Sequence, residues 1–115
     1  MPLKALLKIT LAVAVMSTAT SARADLVVLQ YHHVSDSTPP ATSTSVSLFE
    51  GQLDMISDLE LVVVGLQEGT ETTLAGTDEQ GNRIAITFDD AYDSVYHTAP
   101  PLLAEKAYPY TIFVN

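Results

Sequence analysis

Arg83-Ile84-Ala85-Ile86-Thr87-Phe88-Asp89-Asp90-Ala91-Tyr92 decides how the rest of this 115-residue chain is read. Its first six residues are nearly unbroken in apolar and β-branched character, and two adjacent carboxylates end the run. Such a run predicts a strand buried on both faces, as parallel sheets require. Adjacent carboxylates repel each other unless a cation or a shared proton offsets the charge. They stand where a parallel strand meets its loop, the place where α/β folds hold ligands. A divalent metal on one would leave the other free to act as a base. A second reading stays open at this point: a solvated turn with an Asp capping the next helix.

Working outward, Leu26-Val27-Val28-Leu29-Gln30-Tyr31 reads as another buried strand, and His32 to Ser45, with Pro39-Pro40 and many Ser and Thr residues, as a loop. Ser47-Leu48-Phe49-Glu50 matches a capping box, and Phe49, Leu53, Ile56 and Leu59 or Glu60 follow at helical spacing. Leu61 to Val64 predicts a short strand stopped by Gly65; residues 66–82 show no clear period. Past the carboxylates, Asp93 or Ser94 is placed to cap a helix carrying Val95, Ala99, Leu102 and Leu103. Pro100-Pro101 must break or kink that helix, and Tyr110 to Val114 predicts a last strand. The order β-α-β-loop-β-α-β predicts an α/β fold with a parallel sheet.

Composition narrows the function. Lys and Arg number 5 against 14 Asp and Glu, for a formal charge of −9, with 47% hydrophobic residues. The apolar share fits a chain that buries a core, and five bases cannot build a nucleic-acid patch. With no cysteine, disulfides and thiolate zinc sites are excluded. Lys4 and Lys8 precede an apolar run from Ile9 to Met16, and Ala22-Arg23-Ala24 follows a small, polar stretch. Residues 1–24 thus have the layout of a secretory signal peptide cleaved before Asp25, with an apolar run too short to span a bilayer. Secretion to the periplasm or the extracellular space is expected, without stable membrane insertion. Residues 25–115 keep Arg83 and Lys106 as strong bases against 14 acids, a formal charge of −12. Such a surface suits neutral partners or divalent cations.

Thr87-Phe88-Asp89-Asp90-Ala91-Tyr92 resembles the first motif, T-F-D-D-G-Y, of the polysaccharide deacetylases, the NodB-homology group of carbohydrate esterase family 4. Further likenesses follow in the family's order. Leu29-Gln30-Tyr31-His32-His33-Val34-Ser35, with Thr38-Pro39-Pro40 behind it, is similar to the first strand of exported members. Phe49-x-x-Gln52-Leu53, Ala99-Pro100-x-Leu102-Leu103 and Pro109-x-Thr111-x-Phe113-Val114 are similar too. Together they run through nearly all of residues 26–115.

The resemblance implies a distorted (β/α) barrel of roughly 200 residues, with this chain as its first half, a partial domain over residues 25–115. It implies an exported, metal-dependent hydrolase removing N-acetyl groups from amino-sugar polymers such as poly-N-acetylglucosamine, chitin-like oligomers or peptidoglycan. Asp89 would be the general base and Asp90 a ligand of zinc, with cobalt, nickel or iron as alternatives. The family's two histidine ligands come from a later H-x-x-x-H-P-type motif, which these residues do not contain, and the chain alone is expected to be inactive. His32, His33 and Tyr92 are candidate pocket residues; neighbours on a strand point oppositely, so both histidines are not expected on one metal. His97 reads as a surface residue. Ala91 replaces the family's glycine, at a cost of about 1 kcal/mol if the position needs a positive φ. A non-catalytic remnant that binds glycan or a partner is the alternative.

Overall fold

The strand Arg83–Phe88 is buried at all six positions, and the rest of the sheet is arranged around it. The computed structural model describes residues 25–77 and 81–115; the signal-peptide expectation for residues 1–24 lies outside them. In chain order the elements are β1 (Leu26–Tyr31), β2 (His33–Val34), β3 (Ser43–Thr44), α1 (Val46–Asp58), β4 (Val62–Val63), α2 (Leu66–Ala75), β5 (Arg83–Phe88), α3 (Asp93–His97), α4 (Ala99–Glu105) and β6 (Thr111–Ile112). Every pairing in the main sheet is parallel, as expected. β1 runs beside β5 over its whole length, from Leu26 opposite Arg83 to Tyr31 opposite Phe88. The other edge of β5 is shared: β4 takes its start and β6 its end. The described strands form an open sheet, not a closed barrel.

One face of β5 carries the core. Ile84, Ile86 and Phe88 cluster with Phe49, Leu53 and Ile56 of α1 and with Val95, Ala99 and Leu103 of α3 and α4. Alternate residues of a strand share a face, and residues three and four apart share a helix face, so these periods meet in one apolar layer. Tyr31 closes its upper end, edge-on to Phe49 at 5.1 Å between ring centroids. Its hydroxyl donates to Gln52 Oε1 at 2.7 Å, and burial raises its pKa.

Five local expectations are corrected. The cap of α1 is Ser45, whose Oγ accepts from Leu48 N at 3.2 Å; Ser47 lies inside the first turn, so the capping box is not formed. The stretch without a clear period holds α2, whose Gly69 and three threonines blur its apolar stripe. Thr72 and Thr73 donate their hydroxyls back to the carbonyls of Glu68 and Gly69, at 2.9 and 2.8 Å. Gly69 is required by close approach, since a Cβ there would meet Val64 Cγ2 at 2.9 Å. Neither Asp93 nor Ser94 caps α3, whose N-cap position is Tyr92. The helix break falls at Thr98, before the prolines, and Pro100 sits in the first turn of α4, where its missing N–H leaves no bond unmade. The expected loop after β1 also contains the short parallel pair β2–β3, which folds the Pro39-Pro40 segment back on itself.

Candidate active site

β5 delivers both carboxylates to one end of the sheet. Asp89 N donates to Tyr31 O at 2.8 Å, which continues the β1–β5 ladder one step past the strand and fixes Asp89 beside the end of β1. The backbone then turns sharply: Asp90 has φ +66° and Ala91 φ +46°, both in the left-handed region. The position that the resemblance gives to glycine therefore does need a positive φ. Ala91 occupies it with a cost on the order of 1 kcal/mol.

The turn separates the two carboxylates into different surroundings. Asp89 Oδ2 accepts from the Gln30 side-chain amide and lies 3.7 Å from His32 Nε2. Both neighbours come from the end of β1. Asp90 accepts from the Asn115 side-chain amide through Oδ1 and from the Tyr92 hydroxyl through Oδ2, the latter at 3.4 Å. The Asp90 carboxylate, then burial, then this hydrogen bond raise the Tyr92 pKa, so the phenol stays a neutral donor near pH 7. Each carboxylate is thus held by its own amide, and the repulsion between them is met by separate donors instead of a shared proton.

The two histidines part company. His32 turns to Asp89, while His33 stacks on Tyr92 with ring centroids 3.6 Å apart and planes 23° from parallel. Ser94 Oγ accepts from Val34 N at 3.0 Å and ties β2 to the start of α3, which keeps that stack in place. His97 is exposed. Gln30 and Asn115 are the site residues that sequence reading passed over. Gln30 carried a signal, being the one amide in an otherwise apolar or aromatic strand; Asn115 carried none.

Among the described residues, no group of three or more His, Asp or Glu side chains is placed to hold a metal ion. Asp90 offers one carboxylate donor, while His32 faces Asp89 and His33 stacks on Tyr92. These residues do not by themselves make a metal site. What the geometry does provide is a half-buried carboxylate, Asp89, with one oxygen anchored by an amide and no lysine or arginine against it.

No family model matches the chain, and no curated protein matches it. Solved structures do. IcaB from Ammonifex degensii is 37% identical, with a TM-score of 0.69 over 77% of this chain and 37% of its own. A de-N-acetylase from Aggregatibacter actinomycetemcomitans is 23% identical, with a TM-score of 0.66 over 76% of this chain and 36% of its own. The chain spans little more than a third of the length of these structures.

Proposed function

We propose that this chain, which carries part of a polysaccharide deacetylase fold, supplies the base-bearing portion of a metal-dependent N-deacetylase acting on an N-acetylated amino-sugar polymer. The observation that carries the reading is the placement of Asp89 and Asp90. Two adjacent carboxylates sit at the end of a fully buried parallel strand, each with its own set of donors. In this reading Asp89 is the general base. It takes a proton from the water whose oxygen bonds to the acetamide carbonyl carbon; that proton is passed on to the nitrogen as the C–N bond breaks, and acetate and a free amine leave. A positioned carboxylate of this kind contributes about 10²–10⁴-fold. The Gln30 amide and His32 fix its orientation.

Asp90 is one ligand of the divalent ion, zinc or alternatively cobalt, nickel or iron; the remaining donors lie outside these residues. The barrel belongs to the proposal as well, with the open sheet of β1, β4, β5 and β6 as its described part. So does export: the layout of residues 1–24 supports cleavage before Asp25, and an intact mass beginning at Met1 in cytosolic protein would refute it.

The test is a chimera in which residues 25–115 replace the matching segment of the Aggregatibacter de-N-acetylase. Acetate release from N-acetylglucosamine oligomers with added Zn²⁺ or Co²⁺ is expected. A chimera that melts cooperatively yet releases no acetate would overturn the enzymatic reading and favour a remnant that only binds glycan.

A further inference from the structure

A cleft of about 510 Å³ lies beside Tyr92 and is walled by two loops, the one after β2 and the one leading into α3. Its flat wall is the His33–Tyr92 stack. The side chains of Ser37, Thr38 and Ser94 line the cleft as well. Ser94 already accepts from Val34 N, which leaves its O–H to donate. Thr38 Oγ1 lies 2.5 Å from Ser43 Oγ, and Ser37 Oγ 3.3 Å from Ser35 Oγ, so both hydroxyls are oriented by neighbours. Asp93 is exposed at the rim, and no lysine or arginine lines the cleft.

We infer that this cleft binds the sugar residue next to the one undergoing reaction, and that it favours a residue whose amino group is already free. The inference rests on the deacetylase reading only for the identity of the polymer. A flat, partly apolar ring beside an array of hydroxyls matches a pyranose, with its apolar ring face and polar edge. Tyr92 joins the cleft to the carboxylates, because its ring forms the wall while its hydroxyl donates to Asp90. A sugar against that wall therefore lies beside the turn that carries the carboxylates. The charge decides which sugar. An acetamide is neutral, whereas a free sugar amine is still largely an ammonium at neutral pH, and the cleft holds a carboxylate at its rim with no lysine or arginine among its lining residues. The strong bases of the described chain are engaged elsewhere: Arg83 with Thr72 and Thr73, Lys106 with Asp54 at 2.8 Å. A polymer carrying some deacetylated residues would then be held with a product residue in the cleft and an N-acetylated one beside Asp89.

The experiment is calorimetric titration of the full 115-residue chain with a glucosamine trisaccharide and with its fully N-acetylated counterpart. It is run at about pH 7, above the usual range of an imidazole and below that of an amino group. The free-amine trisaccharide should bind roughly three- to tenfold more tightly, and the ratio should shrink between about 50 and 300 mM salt. Asp93→Asn, an exposed and nearly isosteric change, should bring the ratio close to one. Thr38→Val should weaken both sugars about threefold or more, as the loss of one hydrogen bond does. Equal binding of the two sugars to the unaltered chain, or a ratio untouched by Asp93→Asn, would overturn the preference. Binding indifferent to Thr38→Val, or no binding of either sugar, would overturn the cleft itself. Acetate release plays no part in this readout, so the deacetylase reading stands or falls separately on the chimera.

Discussion

β1 and β5 are equal in length, paired residue for residue and similar in composition, yet their surroundings are opposite. All six residues of β5 are buried, while Val27 and Val28 of β1 are 52% and 46% exposed. The difference comes from neighbours. β5 has strands along both edges, whereas β1, among the described residues, is paired along one edge only. A parallel strand is stable when both its faces and edges are covered, and an apolar strand with an open edge is a site for further pairing. The two strands also divide the chemistry. Just past the end of β5 stand Asp89 and Asp90, the proposed base and metal ligand; Gln30 of β1 and His32, just past its end, lie against Asp89.

The largest expected effect tests that division. In the chimera, Asp89→Asn should lower acetate release by about 10³-fold with bound zinc nearly unchanged. Asp90→Ala should lose both activity and zinc. Gln30→Ala, on β1, should cost only about tenfold in kcat, because the carboxylate remains and only its orientation loosens. Equal losses at Gln30 and Asp89, or equal zinc loss in both aspartate variants, would erase the distinction between a reacting and a positioning strand.

Burial provides the next test. Phe88 is fully buried in the core and meets Phe49 and Tyr110. Phe88→Ala should cost about 3–5 kcal/mol, enough to abolish cooperative unfolding of residues 25–115. Val28→Ala should cost less than about 1 kcal/mol, since much of that side chain is already in water. Urea titrations of the two variants decide it. A cost at Val28 approaching that at Phe88 would mean that β1 is covered in solution by something outside the described residues.

The same contrast explains what could be read from the sequence. β5 was legible because burial on every side leaves a continuous apolar run, and its carboxylates stood out against it. β1 was legible as a strand, but its pattern carried no mark of which edge lies open, since apolar residues look alike whether or not a neighbour arrives. α2 was hidden because Thr70, Thr72 and Thr73 satisfy their hydroxyls locally, a property of backbone geometry rather than composition. Ser45 and Ser47 are equally good caps by type, and the β2–β3 pairing, which ends at Thr44, sets which one meets the helix. Asn115 reaches Asp90 across 25 residues, a contact made only by the placement of β6 beside the end of β5.

A smaller effect concerns the turn that β5 feeds. Ala91→Gly should relieve the left-handed strain at φ +46° and stabilise the chain by up to about 1 kcal/mol. A thermal melt reads this as a rise of several degrees for a domain of this size. A fall instead would mean that the entropy glycine loses on folding outweighs the strain that alanine bears.

The smallest effect lies at the one position where β1 is as buried as β5. Tyr31 sits in the aromatic cluster with its hydroxyl on Gln52 Oε1, and burial raises its pKa above the ordinary value near 10. The folded chain therefore keeps the phenolic proton at pH values where the unfolded chain has released it. That difference contributes its full stability below about pH 10 and is lost as the pH rises from there through the folded-state pKa. Lys106, whose pKa Asp54 raises, works in the same direction from a half-buried position, so the alkaline loss of the unaltered chain is not due to Tyr31 alone. Tyr31→Phe separates them. Near pH 7 it should cost about 1 kcal/mol through the lost hydrogen bond, leaving Gln52 to water. Above about pH 10 the gap between variant and unaltered chain should narrow, because phenylalanine has no proton to lose. Melting curves of both proteins from neutral to alkaline pH would show this convergence. A gap that stays constant would mean that the Tyr31 hydroxyl reaches water in the folded chain, and that the end of β1 is as open as its middle.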